Sequence, residues 1–284
     1  MMKATAGGGG MGLQICHDRL QLQSAYDAVV SRGQTLFSNA GVFLERYFPV
    51  SRHIEAQVFG DGRGDCVVFG ERECSIQRRH QKVIEESPSP FVDGKPGLRE
   101  RLLKTAHSLA CNVKYRSAGT VEYLVDDATG DFFFLEMNTR LQVEHGVTEL
   151  RFDIDLVEMM LRQAEAPLDL SLYRDIRPHG AAIEARLYSE NPIKNFTPSP
   201  GLLQQVRFPD GDNIRVDTWV MSGTKVSPLY DPLLAKVMSY GAERSSAADV
   251  LTKALEKTQL QGVASNLLYC KAILDSDGKF AFPW

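Results

Sequence analysis

Apolar and polar positions along this chain switch between two periods, and the switches divide it into elements. Residues 19–32 repeat apolar positions every three to four residues and predict a helix. Residues 42–48 read as a strand ending in a bend at Pro49. Residues 52–59 alternate, turn through a Gly- and Asp-rich 60–65 and return as 66–69, a hairpin with His53, Glu55 and Gln57 on one face. A second hairpin joins 119–125 to an apolar strand from Phe132 through the turn Asp-Asp-Ala-Thr-Gly-Asp, 126–131. Helical spacing returns at about 98–111 and 154–164. Near Pro178 the texture changes: a strand-rich section opens at 179–190 and is broken by Pro192, Pro198, Pro200, Pro209, Pro228 and Pro232. Two closing helices follow near 246–258 and 265–274, with Ser246 and Ser265 as expected N-caps. The pattern predicts an α+β protein with a boundary at about 170–178.

Composition adds limits. The 284 residues are 43% hydrophobic and 24% charged, enough for one large or two modest domains, and the net charge of −4 excludes a global basic field for nucleic acid or an anionic membrane. Five scattered cysteines, Cys16, Cys66, Cys74, Cys111 and Cys270, show no Cys-x-x-Cys spacing, which argues against a disulfide framework or structural zinc and for a reducing compartment. No apolar run is long enough to span a bilayer and no secretory signal opens the chain, so a soluble, cytoplasmic protein is expected.

Chemistry concentrates after the second hairpin. Segment 134–145, Phe-Leu-Glu-Met-Asn-Thr-Arg-Leu-Gln-Val-Glu-His, sets acids, an amide, a guanidinium and an imidazole directly behind an apolar strand. Glu122 lies across the hairpin from Glu136, and alternation puts Asn138 on the face of Glu136, so the three can converge on a hard cation, Mg2+ or Mn2+. Lys3 precedes a glycine run that reads Gly-x-Gly-x-x-Gly at Gly7, Gly9 and Gly12, whose N–H groups suit phosphate; composition alone favours a flexible terminal linker. An apolar hinge with one acid at 42–48 suits an adenine edge. Segment 71–86 packs five basic or imidazole side chains into an acidic protein, a structured stretch facing anions.

Taken together, the glycine run, Arg-His-Ile-Glu at 52–55, Gly-Glu-Arg-Glu-Cys-Ser-x-Gln-Arg-Arg-His-Gln-Lys at 70–82, segment 134–145 and Pro-Ser-Pro-Gly at 198–201 resemble the biotin carboxylase component of biotin-dependent carboxylases, in the ATP-grasp superfamily. The resemblance implies an ATP-grasp fold with a glycine-loop lid at 1–50, an antiparallel-sheet core at 51–175 and a biotin carboxylase C-terminal subdomain at 176–284. It implies ATP contacts from Lys3, Gly8, Gly9, Gly10, Glu45, Phe48, His53, Gln77 and His80, and metal held by Glu122 and Glu136 with Asn138 close by. Lys82, Arg140, Gln142 and the Val143 backbone would seat bicarbonate, Glu144 would be the base, and Arg186 would stabilise charge on biotin. The implied reaction carboxylates biotin through carboxyphosphate. Its partners are a biotin carboxyl carrier domain and a carboxyltransferase domain, with a homodimer in the full-length protein.

Gly146 after His145, with segments 195–196, 216–220, 222–224 and 226–232, makes the chain similar to urea carboxylase, as found in urea amidolyase. Family members carry an N-terminal α/β domain ahead of the glycine loop, so the chain is expected to be a fragment, weakly active alone. The rival readings are a carbamoyl-phosphate synthetase-like ligase and a non-catalytic nucleotide-binding module.

Overall fold

The computed structural model describes residues 1–6, 12–38, 41–78 and 81–275. The chain divides into two compact units: Met1–Ser51 with Gln77–Gln81, and Arg52–Ile76 with Lys82–Trp284.

The first unit is thin. Its strands β1 (Met2–Ala4), β2 (Leu13–Gln14) and β3 (Val42–Leu44) form one sheet in the order β2-β1-β3, packed on helix α1 (Arg19–Phe37). Asp18 caps α1, its carboxylate accepting from the Gln21 N–H at 2.8 Å. The buried core here comprises Met2, Ala4, Ala25 and Val29.

The second unit is built on an eight-stranded sheet. In chain order its elements are β4 (Ser51–Asp61), β5 (Cys66–Arg78), β6 (Gln81–Ser87), α2 (Pro90–Asp93), α3 (Leu98–Asn112), β7 (Arg116–Asp126), β8 (Phe132–Asn138), α4 (His145–Phe152), α5 (Leu156–Glu165), α6 (Ser171–Arg174) and β9 (Ala181–Tyr188). Short strands β10 (Glu190–Asn191), β11 (Thr197–Pro198), β12 (Gly201–Leu202) and β13 (Gln205–Arg207) follow. The chain closes with β14 (Ile214–Thr218), β15 (Lys225–Val226), β16 (Leu233–Gly241), α7 (Arg244–Lys257), β17 (Gln259–Gln261) and α8 (Leu267–Leu274). The sheet order is β14-β16-β9-β6-β5-β4-β7-β8. β9 pairs with β6, so the sheet runs across the expected boundary at 170–178 without a break.

Alternation along the strands sorts the side chains. Ile54 and Val121 pack with Leu102 and Ala106 of α3, and Ile84, Ile183 and Val237 pack with Leu251 of α7 and Cys270 of α8. Each such fully buried aliphatic side chain contributes about 1.5–3 kcal/mol. Their neighbours Glu55, Glu85, Glu122, Glu184 and Arg186 project to the opposite face, and these too are buried. A charged face that loses water must pair its charges, and that requirement organises the site.

Both N-cap expectations fail. Glu243 caps α7 and Ser246 sits inside its first turn: the Ser246 hydroxyl accepts from the Glu243 N–H at 3.1 Å and the Glu243 side chain accepts from the Ser246 N–H, the reciprocal bonding of a capping box. Asn266, not Ser265, precedes α8, and its side chain bonds β9 instead. Helix α4 was not legible either, because its eight residues are buried nearly all round and carry no amphipathic stripe.

Candidate active site

Registers place the charged groups opposite one another. Glu55 faces Arg72 across β4 and β5, Glu122 faces Glu136 across β7 and β8, Glu85 faces Glu184 across β6 and β9, and Arg186 faces Lys236 across β9 and β16.

Lys82 is the hub. Its ammonium lies 2.6 Å from Glu55 Oε2, 2.9 Å from Glu122 Oε1, 2.6 Å from Glu144 Oε1 and 3.2 Å from Gln142 Oε1. Burial works against its charge, but the surrounding carboxylates, Glu55 first, hold its pKa well above the ordinary lysine value. Gln142 closes the ring by donating to Glu122 Oε1 at 2.9 Å, and His53 Nε2 stands 3.0 Å from Glu122 Oε2. Burial would raise Glu122; His53 and Lys82 more than offset it and push it far below the carboxylate range.

Glu144 immediately precedes α4 and is held from both sides. Lys82 takes Oε1, and Arg186 Nη2 donates to Oε2 at 2.8 Å. Arg186 also brings Nε to 2.6 Å from Glu85 Oε1. Its backbone is clamped by Asn266, whose Nδ2 donates to the Arg186 carbonyl at 2.9 Å and whose Oδ1 accepts from the Tyr188 N–H at 2.7 Å. Burial drives Glu85 up to about 8 and Glu184 up to about 7; Arg186 and Lys236 pull the other way but are shared among more acids than they can neutralise.

Behind this lies Arg72, fully buried. Its Nη1 donates to Gln57 Oε1 at 2.7 Å and to Thr148 Oγ1 at 2.9 Å, its Nη2 to Thr120 Oγ1 at 3.1 Å, and its Nε to Glu55 Oε1. Burial would raise Glu55, but Arg72 and Lys82 bring it down to about 2.

The structure gathers Lys82, Gln142, Glu144, Arg186, Glu122 and His53. Arg140 stands outside that cluster: it is exposed and donates to the Leu141 carbonyl at 3.2 Å. The Val143 carbonyl is taken by Lys236 Nζ at 2.6 Å. Glu136 is exposed and makes no hydrogen bond or ion pair among the described residues, and Asn138 faces Thr120. In the first unit Lys3 pairs with Glu45 at 2.9 Å, and the Arg46 guanidinium stacks over Phe48 at 4.8 Å. Gln77 lies near the end of β5, in the part of that strand that belongs to the first unit. Gly8, Gly9, Gly10 and His80 lie outside the described residues. Sequence reasoning does not single out Glu85, Glu184 or Asn266 as site residues, and it gives Glu55 and Arg72 no role. The alternation around residues 84–85 and 183–186 could have exposed the first two; Asn266 comes from a distant segment and has no local signal.

A large antiparallel sheet carrying paired acids on adjacent strands, with cations buried among them, is the architecture this chain shares with biotin carboxylase ATP-grasp domains. Residues 1–170 match the family of the carbamoyl-phosphate synthase L chain, ATP binding domain, and residues 184–281 match the biotin carboxylase C-terminal domain. The chain belongs to that ATP-binding family, as a biotin carboxylase ATP-grasp module. It is 54% identical over 283 residues to a protein named a urea carboxylase from Emericella nidulans, covering 96% of this chain and 23% of that one. It is 49% identical to the urea amidolyase of Saccharomyces cerevisiae over 98% of this chain and 15% of the relative. The chain thus spans less than a quarter of either. Among solved structures, the biotin carboxylase domain dimer of Hydrogenobacter thermophilus 2-oxoglutarate carboxylase, determined with MgADP and bicarbonate, superposes with a TM-score of 0.92 at 37% identity, over 98% of this chain and 62% of that one.

Proposed function

We propose that this chain carries out the ATP-dependent carboxylation of biotin by bicarbonate, as the biotin carboxylase part of a urea carboxylase. The observation that carries the reading is the suspension of Glu144 between Lys82 and Arg186, a carboxylate with one cation on each oxygen. Bicarbonate is a weak nucleophile toward phosphorus, so the reaction needs a base in contact with it and fixed positive charge where negative charge spreads. Glu144 takes the bicarbonate proton. Lys82, with Gln142, Arg140 and the Val143 N–H, seats the anion, and Arg186 faces the charge that develops on the ureido group of biotin. Carboxyphosphate is the expected product of the first step.

The donor set suits a hard divalent cation: Glu122 and Glu136 offer oxygens from facing positions on adjacent strands, with Asn138 two residues on. Bound there, Mg2+ or Mn2+ would neutralise charge on the nucleotide phosphates. Lys3, Gly8, Gly9, Gly10, Glu45, Phe48, His53, Gln77 and His80 are the groups we assign to ATP. The partners we assign are a biotin carboxyl carrier domain and a carboxyltransferase domain, in a cytoplasmic, homodimeric enzyme; among the described residues no helix is long and apolar enough to cross a membrane.

The test is a transplant. This chain replaces the matching segment of the Saccharomyces cerevisiae urea amidolyase, and ADP release is followed with and without urea, bicarbonate and biotinylation. Retained turnover that needs all three is expected. A folded chimera that releases ADP without biotin, or that makes carbamoyl phosphate from ammonia, would overturn the reading in favour of the rival ligase.

A further inference from the structure

A second reactive cluster lies away from the charged face. Cys66 opens β5, Cys111 lies near the end of α3, and His107 sits one helical turn before Cys111. The two sulfur atoms are 2.9 Å apart, although 45 residues separate them in sequence. The Cys66 thiol donates to the His107 carbonyl at 3.4 Å, and the His107 ring nitrogens stand 3.7 and 3.8 Å from Cys111 Sγ. Cys66 is buried, Cys111 partly exposed and His107 exposed.

Cys66 and His107 also line a cleft of about 630 Å³. Its charge balance is basic. Arg99 is neutralised by Glu71 and Asp93, but Lys104 has no carboxylate partner among the described residues, and Arg151 spends its hydrogen bonds on the Gly180 carbonyl and the Ser87 hydroxyl. Arg177 meets Asp175 only at 3.8 Å, both well exposed. Burial pushes the Cys66 thiol up and disfavours its thiolate, which leaves the partly exposed Cys111 as the first thiol an incoming group meets, while the electropositive cleft attracts anions and disfavours a divalent cation.

We propose that Cys66 and Cys111 form a thiol–disulfide exchange site for small anionic disulfides, with the basic cleft as the entrance. Cys111, the accessible thiol, gives its proton to His107 and attacks one sulfur of the disulfide, forming a mixed disulfide and releasing a thiolate that takes up the proton. Cys66 then attacks the Cys111 sulfur and expels the second small thiol. Two protein thiols are oxidised by two electrons and one small disulfide is reduced to two thiols. The sulfurs need to close by less than 1 Å to reach the disulfide length of about 2.05 Å.

The probe is glutathione disulfide, added to the native full chain. Free thiols are expected to fall from the five of the sequence to three, with a peptide map showing a 66–111 crosslink that dithiothreitol reverses. In Cys66→Ser, Cys111 should stop as a mixed disulfide, and His107→Ala should slow the wild-type reaction several-fold. Cystamine, a cationic disulfide, should react several-fold more slowly than glutathione disulfide. Five persistent thiols, crosslinks scattered to Cys16, Cys74 or Cys270, or equal rates for the two disulfides would each overturn the proposal, and the first two need no variant that could misfold.

Discussion

Two buried ionic clusters share one face of the eight-stranded sheet and differ in their arithmetic. Around Arg72, on β4, β5 and β7, one guanidinium meets one carboxylate, and its remaining donors reach Gln57, Thr120 and Thr148. Around Arg186, on β6, β9 and β16, Arg186 and Lys236 face Glu85 and Glu184, and Arg186 shares Glu144 with Lys82. The first cluster is closed: Glu55 has a cation on each oxygen, Arg72 on one and Lys82 on the other, and is held down at about 2. The second carries surplus acid, so Glu85 and Glu184 are pushed up to about 8 and 7 and retain protons that exposed glutamates have lost. A matched buried pair serves structure; acids with strongly shifted pKa values around shared cations mark a candidate functional site. Helix α4 ties the two together, since Glu144 precedes it and contacts Arg186, while Thr148 within it contacts Arg72.

The comparison is sharpest at Glu144. Glu144→Gln keeps the shape but removes the carboxylate we propose as the base, and biotin-dependent ADP release in the transplanted enzyme is expected to fall about 10²–10⁴-fold. Urea denaturation should show a much smaller change in stability. Arg72→Met should do the reverse, costing about 3–5 kcal/mol in the same denaturation measurement by leaving Glu55 buried and half-paired. If Arg72→Met left stability intact, the division into a structural and a functional cluster would fail.

Titration separates the clusters by sign. Glu55 has a folded pKa below its ordinary value of 4.5, so its stabilisation is present above pH 4.5 and is lost as pH falls toward 2, worth about 3 kcal/mol over that range. Glu85 and Glu184 have folded values above 4.5, so the folded state binds more protons than the unfolded chain between pH 4.5 and about 8, and stability drains away as pH rises through that window. Glu85→Gln should flatten that neutral-to-alkaline decline and leave the acid limb unchanged, read from chemical denaturation midpoints against pH.

The smallest effect is expected at Gly146, in the first turn of α4. A Cβ there would lie 2.3 Å from Met238 Sδ, so Gly146→Ala must displace the Met238 side chain and should cost about 1–3 kcal/mol. Adding Met238→Ala should recover part of the helix position, seen as activity regained by the double variant over Gly146→Ala alone.

Much of this was legible along the chain. Alternation located both hairpins, put His53, Glu55 and Gln57 on one face and set Glu122 opposite Glu136, because period-2 patterning and turn residues are local signals. Helices α1, α3, α5, α7 and α8 were legible from their apolar spacing, though α1 runs to Phe37 rather than ending near residue 32. The helix starts were read less well, since a serine near a start says nothing about which neighbour holds the cap. The identity of the family rested on motif strings and needed no geometry.

What the amino-acid order determined by itself was the two hairpins, the faces taken by Glu55, Glu122 and Glu136 and the chemical kind of the site, since these depend on side-chain spacing and residue type within a few positions. Which cation meets which acid was decided only by tertiary structure. Lys82 reaches Glu144 rather than leaving it to Arg140, Glu85 opposes Glu184 across nearly a hundred residues, and Asn266 locks the backbone of Arg186. Those pairings follow from strand order and burial, because charges removed from water take whatever partner the sheet brings within reach, and sequence distance has no bearing on that choice.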